Sequence, residues 1–243
     1  MFIQIKNLTK KFKNNLAVNN INFSIEKNNV LGLLGPNGCG KTTSIGMMLG
    51  LIKPTSGQII IDNKNLESFK RNDILARINF ASPYIELPKK LTVRQNLEVY
   101  GRLYGIKNRK ERIEEISEDL DIKDFFDRQT GELSSGQKNR VSLAKSLINK
   151  PEILLLDEPT ASLDPDIGDF VRSYIQDYRS KNKVTILLAS HNMAEVERLC
   201  DSIIMMKSGK IIDRGTCNEI IDKHGRNNLE ETFLKLARSK DEL

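Results

Sequence analysis

Residues 29–52 read "NVLGLLGPNGCGKTTSIGMMLGLI". An apolar run of strand length comes first, then a glycine-rich loop, then an apolar helix. Gly35, Pro36, Asn37, Gly38, Cys39, Gly40, Lys41 and Thr42 fit the pattern GxxxxGK[ST] at every fixed position, and Thr43 follows. Glycines let backbone N–H groups turn inward around phosphate oxygens, and the helix behind the loop adds its positive end. In such a loop Lys41 bridges the two terminal phosphates of a nucleotide, and Thr42 offers its hydroxyl to Mg²⁺. A strand running straight into loop and helix is the context this chemistry requires, so the stretch predicts a nucleotide site. Cys39 is read as a small loop residue.

Working outward, "FIQIKNL" (2–8), "INFSIE" (21–26) and "QIIID" (58–62) alternate like strands. Past residue 65 the character turns helical. Thr92 to Gln95 has capping-box spacing and opens a helix to about Tyr104, and another is expected near 110–120. Then come helix over 138–149, strand "EILLLDEP", helix over 166–181, strand "VTILLAS", helix "MAEVERLC", and strands "SIIMMKSG" and "KIIDRG". Strands alternating with helices imply an α/β fold with a mostly parallel sheet covered on both faces. No internal repeat or low-complexity linker interrupts it, so one domain over 1–243 is expected, with a helical tail over 215–243.

Composition narrows the function. The net charge is +6, from 38 basic and 32 acidic residues. Much of the excess lies in 6–13 and 107–112, read as solvated surface. Aromatics are 6% and Trp is absent, so nothing suggests stacking on single-stranded nucleic acid, and no nucleic-acid partner is expected. Three cysteines, Cys39, Cys200 and Cys217, without paired spacing argue for a reducing compartment. There is no CxxC, no His cluster, no apolar signal core at the N-terminus, and no run near the about 20 apolar residues of a membrane span. The final "KDEL" (240–243) is read as the polar end of the helix "LEETFLKLARS" rather than as a retention tag.

Three further features carry chemistry. "ILLLDEP" places Asp157 and Glu158 just past a buried strand, where parallel sheets bind ligands. Asp157 suits Mg²⁺ coordination, and Glu158 suits a general base on the attacking water. His191 follows "VTILLAS" at a strand end on the same edge and can hydrogen-bond a terminal phosphate and the water. His224, in "DKHGRNN", is read as surface. Far beyond the phosphate loop, "LSSGQ" (133–137) precedes a helix starting near Gln137 or Lys138, so it presents N–H groups and a helix dipole to an anion.

Taken together, these motifs closely resemble the nucleotide-binding subunits of ABC transporters over nearly the whole chain: Walker A at 35–42, signature at 133–137, Walker B at 153–158, D-loop "ASLD" at 161–164 and switch histidine at 191. The resemblance implies a P-loop NTPase core with an antiparallel β subdomain and an inserted α-helical subdomain, roughly 68–130, on which membrane-partner helices dock. It implies ATP and Mg²⁺ as ligands and ATP hydrolysis as the reaction. It also implies that two ATP-binding subunits, here expected as a homodimer, pack head to tail. Ser134, Ser135, Gly136 and Gln137 of each cap the ATP of the other, Ser134 touching the γ-phosphate and Asp164 communicating across the dimer. Ser135 stands where the usual pattern has glycine. By the same resemblance Phe12 stacks on adenine and Val18 packs near the ribose. "NNLEETFLKLAR" resembles the ending of subunits that serve exporter-type permeases made as separate chains, which places the protein on the cytoplasmic face of the cell membrane.

One position departs from the family. The glutamine expected midway between Walker A and signature, which touches Mg²⁺ and water, falls within "INFASPYIELP", where Ser82 or Pro83 stands. Serine can still reach Mg²⁺ through its hydroxyl or a water; proline cannot. Slow or partner-dependent hydrolysis is therefore expected. The alternatives are a soluble ABC ATPase acting on other machinery, and a nucleotide-gated module that hydrolyses little.

Overall fold

The computed structural model describes residues 1–161 and 163–238. Its first elements are strands β1 (Ile3–Phe12), β2 (Asn15–Ile25) and β3 (Val30–Leu34), helix α1 (Lys41–Met48), strands β4 (Ser56–Ile61) and β5 (Lys64–Asn65), and helix α2 (Arg71–Leu75). There follow β6 (Ile78–Ala81), α3 (Val93–Leu103), α4 (Arg109–Asp119), α5 (Ser135–Leu147), β7 (Ile153–Asp157) and α6 (Pro165–Asn182). The remaining elements are β8 (Thr185–Ala189), α7 (Met193–Leu199), β9 (Ser202–Lys207), β10 (Lys210–Gly215), α8 (Cys217–His224) and α9 (Leu229–Arg238). The chain forms two compact units, one of Met1–Leu75 with Thr185–Leu243, the other of Ala76–Val184.

The first unit carries two sheets. One is antiparallel, in the order β2-β1-β4-β5. Ile3, Ile5 and Leu8 of β1 are buried while Lys6 and Asn7 are exposed, the pattern of a strand with one wet face. The second sheet runs β10-β9-β3-β8; β3 lies parallel to both β8 and β9, and β9 and β10 form a hairpin. Every residue of β3 and β8 is buried, which is why "VLGLL" and "TILLA" read as unbroken apolar runs rather than alternating ones. Leu34 at the end of β3 shares one apolar cluster with Val196, Ile203, Met205, Ile220 and Leu229. The last two helices thus complete the core beneath the strand that feeds the phosphate loop.

In the second unit β6 and β7 pair in parallel, with Ala81 opposite Leu156. Thr92 and Gln95 form the expected capping box at the start of α3. Arg112 of α4 is buried and donates to the carbonyls of Leu147 and Ile148, satisfying the C-terminal end of α5 that would otherwise lack partners.

Several expectations are corrected. The segment expected to be helical past residue 65 contains β6: four residues of "INFA" carry no period, and their pairing with β7 decides the strand. The signature helix begins at Ser135, because Ser134 rather than a later residue supplies the cap. His224 is not free surface: its Nε2 lies 2.5 Å from Oδ2 of Asp213, a carboxylate only 3% exposed, while Lys223 Nζ stands 2.6 Å from the other oxygen. Ser162 of the D-loop and the "KDEL" segment lie outside the described residues. The α/β class, the parallel core strands and the antiparallel β sheet agree with the sequence reading.

Candidate nucleotide site

In the first unit the phosphate loop leaves the carboxyl end of β3 and enters α1 through Gly40. Gly40 has φ +109°, and a Cβ there would fall 2.5 Å from the Ala17 carbonyl oxygen, so only glycine closes this turn. Gly38, at φ +80°, makes the other left-handed step. Helices α3, α5 and α8 each spend a capping box on their first turn, whereas α1 has no side-chain cap and no acidic residue there. No side chain of its own thus competes with an anion at this helix end.

Lys41 is only 6% exposed, and its ammonium donates to the carbonyls of Gly35 at 2.6 Å and Pro36 at 3.4 Å. Both acceptors are neutral, so the positive charge sits inside the loop for an anionic ligand. Thr42 is exposed and Thr43 half-buried on the first turn of α1. Cys39 is buried, and burial pushes its thiol up more strongly than the Lys41 charge pulls it down. Both burial and that direction favour the protonated thiol over the thiolate. The loop is also clamped from outside: Gly209 donates to Cys39 O at 3.1 Å, and Asn19 donates to Gly209 O at 2.8 Å. Val18 is fully buried, its Cγ2 3.2 Å from where a Cβ on Gly40 would stand, so it supports the loop from below. Phe12, at the end of β1, is 44% exposed.

His191 lies two residues past β8. The parallel register Leu33–Ala189 and a 3.4 Å bond from Ser190 N to Leu33 O put it at the edge from which the phosphate loop springs. The side chain is exposed, and the next residue, Asn192, caps α7 by accepting from Glu195 N at 3.2 Å. The structure thus gathers the phosphate loop, His191 and the supporting Val18 in the first unit.

In the second unit β7 is buried throughout and delivers Asp157 and then Glu158, 4% and 7% exposed. Glu158 has φ +56°, a costly conformation for a residue with a side chain, and such strain concentrates where a group must be aimed. The turn after it is held by Ala161 N donating to Glu158 O at 3.0 Å and by Asn139 Nδ2 donating to Pro159 O at 2.6 Å. Asn139, buried on α5, is a residue the sequence reading missed: it ties the signature helix to the acidic turn. No local pattern marks it.

Ser82 is 4% exposed, and its Oγ accepts from the amide of Tyr84 at 3.3 Å, which turns the chain after β6. At the signature, Ser134 Oγ accepts from Gln137 N at 3.2 Å and Gln137 Oε1 accepts from Ser134 N at 3.0 Å. Ser134 and Ser135 are exposed; Gly136 is buried, and a Cβ there would meet Ile167 Cδ1 at 2.6 Å. Ser135 is the first helical residue, so a serine in place of the usual glycine costs the backbone nothing. Asp164 is the exposed N-cap of α6, ahead of Pro165 at the first helical position.

Comparison with known proteins places this geometry. A family model described as ABC transporter matches residues 18–161. The chain is 37% identical over 227 residues to the ABC transporter ATP-binding protein NatA of Bacillus subtilis, covering 91% of each. It is 35% identical over 222 residues to Nod factor export ATP-binding protein I of Burkholderia lata, covering 90% of this chain and 72% of that one. It is 34% identical over 217 residues to the Fe(3+) ions import ATP-binding protein FbpC of Photorhabdus laumondii, covering 88% and 61%. Among solved structures, the post-hydrolysis dimer of the ATP-binding cassette MJ0796 with ADP and Pi superposes with a TM-score of 0.81 at 25% identity, over 88% of this chain and 98% of that one.

Proposed function

The chain belongs to the ABC transporter family, and from that premise we propose that it binds and hydrolyses ATP as one of a head-to-tail pair of subunits driving a separate membrane permease, in the direction of export. The observation that carries the ATP reading is the loop at Gly35 to Thr42, with Lys41 buried inside it and α1 left without a side-chain cap. Backbone amides and Lys41 would hold the β- and γ-phosphates, with Phe12 against the adenine and Val18 beneath the loop. Glu158 would take a proton from water as the water attacks the γ-phosphorus, while the bond to the β-phosphate oxygen breaks and ADP leaves. His191 would hydrogen-bond the γ-phosphate.

The donors offered to Mg²⁺ are the Thr42 hydroxyl and the Asp157 carboxylate, both hard oxygens, with Ser82 as a further hydroxyl. Among the described residues no group of three His, Cys, Asp or Glu side chains could cage a metal. That suits an ion held by one carboxylate together with nucleotide phosphates. When bound, Mg²⁺ neutralises charge developing on those phosphates.

The dimer reading leans on the dimeric cassette named above, and on the exposed Ser134 and Ser135 at the start of α5, with Gly136 and Gln137 in the first turn. Asp164, exposed at the head of α6, is the residue proposed to signal across the pair. None of the described helices is long and apolar enough to cross a membrane; the separate permease and the place on the cytoplasmic face of the membrane are proposed from the family alone. The relatives include both an export and an import protein by name; the export reading leans on the larger share of the former that this chain spans, 72% against 61%.

The test is to tag the chain carrying Glu158→Gln, solubilise membranes in mild detergent with ATP present, and identify what co-purifies. A multi-span membrane protein in stoichiometric yield is expected, and its transport direction can then be assayed in vesicles. Recovery of soluble partners only would replace the transporter reading with that of an ABC ATPase acting on other machinery.

A further inference from the structure

Phe12 does not stand alone at the end of β1. Lys10, two residues earlier, holds its Nζ 4.8 Å from the centre of the Phe12 ring. The same ammonium donates to the carbonyl of Lys53 at 2.8 Å. Two neighbouring bonds fasten this strand end to the same segment: Thr55 N donates to Thr9 O at 2.8 Å, and Lys11 N donates to Thr55 Oγ1 at 3.0 Å. Lys10 is therefore no loose surface charge. It is pinned at its tip by a carbonyl and lies over an aromatic face, where the ring quadrupole attracts it.

An aromatic ring has two faces, and one of them is taken. We infer that Lys10 is a positioning residue for the nucleotide: it covers one face of Phe12, holds the exposed ring in a single orientation, and leaves the opposite face to the adenine base. This rests on the reading that Phe12 stacks on adenine. A ring already ordered loses less freedom when the base arrives, so the gain appears as affinity. The effect acts through the ring. A ligand with phosphates and no base does not feel it, whereas a lysine serving only as a general positive charge attracts any polyanion.

The experiment is a set of calorimetric titrations on the full chain with Mg·ATP and with Mg·tripolyphosphate, for wild type, Lys10→Met, Lys10→Arg, Phe12→Ala and the Lys10→Met/Phe12→Ala double variant, each checked for an unchanged melting temperature. A cation over an exposed ring corresponds to about a 2- to 5-fold change in affinity. Lys10→Met is expected to weaken ATP by that factor, Lys10→Arg to keep wild-type affinity, and tripolyphosphate to bind all single variants alike. In the Phe12→Ala background the Lys10→Met change is expected to add nothing. Equal weakening of ATP and tripolyphosphate by Lys10→Met, or a full-size effect without the ring, overturns the inference. ATP affinity untouched by Phe12→Ala alone removes the stacking reading beneath it, and that result is read without reference to Lys10.

Discussion

Ser82 and Asp157 leave the same sheet edge from neighbouring strands: Ala81 and Leu156, which precede them, are partners in the parallel pair of β6 and β7. Ser82, one of the two residues that stand where the resemblance expects glutamine, is thus adjacent to the proposed Mg²⁺ carboxylate, but its hydroxyl accepts from the Tyr84 amide. Ser82→Gln is expected to raise steady-state phosphate release by the isolated chain about 10-fold at saturating Mg·ATP, the scale on which residues around a metal alter activity. Equal rates in the two proteins would show that this position does not limit turnover.

Gly40 tests the phosphate loop without touching any charge. Gly40→Ala forces a side chain into φ +109° and against the Ala17 carbonyl. A loss of about 1–3 kcal/mol is expected, from strain at this one residue, together with loss of ATP binding. Thermal melts and titration with ATP read the two effects separately. A variant that melts and binds like wild type would mean that the loop geometry is not required.

Ser134 has two roles to separate. Its oxygen caps α5, and removing such a cap costs about 1 kcal/mol, about 2–4 °C in melting temperature for a chain of this size. Ser134→Ala is expected to show that shift and also to abolish ATP-driven dimerisation in the Glu158→Gln background, measured by light scattering. A dimer that persists with only the cap penalty would leave Ser134 as a helix cap and nothing more.

Asp213 is a buried contributor to the acid limb of stability. Burial alone would raise its carboxyl, but Lys223, His224 and the Arg214 amide outweigh it and hold the group below the usual carboxylate range. A carboxyl held low when folded stabilises the protein above its unfolded value, and that contribution is lost as pH falls through the folded value. Wild type should therefore lose stability below about pH 4. Asp213→Asn should be less stable by about 1–3 kcal/mol at pH 7 and should lose less on further acidification. Denaturant melts at a series of pH values decide it; parallel curves for the two proteins would exclude Asp213 as the group that titrates.

The parts of the chain that were legible in advance are those whose function is written in consecutive residues. The phosphate loop, the carboxylates after an apolar strand, and the Thr92–Gln95 box each need particular residue types a few positions apart, and the structure has them in those conformations. What was not legible depends on partners distant in sequence. Strand β6 is four residues long, and its partner begins at Ile153. The β1–β2 hairpin runs longer than the alternation suggested, because it turns at Lys13, with φ +48°, and not at a glycine that would announce it. Asn139, Lys10 and His224 look like ordinary polar residues until the fold brings Pro159, Phe12 and Asp213 beside them.

Strand β3 finds both neighbours late. It is made by residue 34, yet it pairs on one side with β8, beginning at Thr185, and on the other with β9, beginning at Ser202. During synthesis the strand that carries the phosphate loop therefore waits, with both edges unpaired, through translation of the whole second unit. Pairing so remote in the chain is slow to form, and an apolar strand with open edges recruits other strands. Ribosome-bound chains arrested before Thr185 should hence be the ones that need a chaperone, and nucleotide should begin to protect the nascent protein from proteolysis only after β9 has emerged.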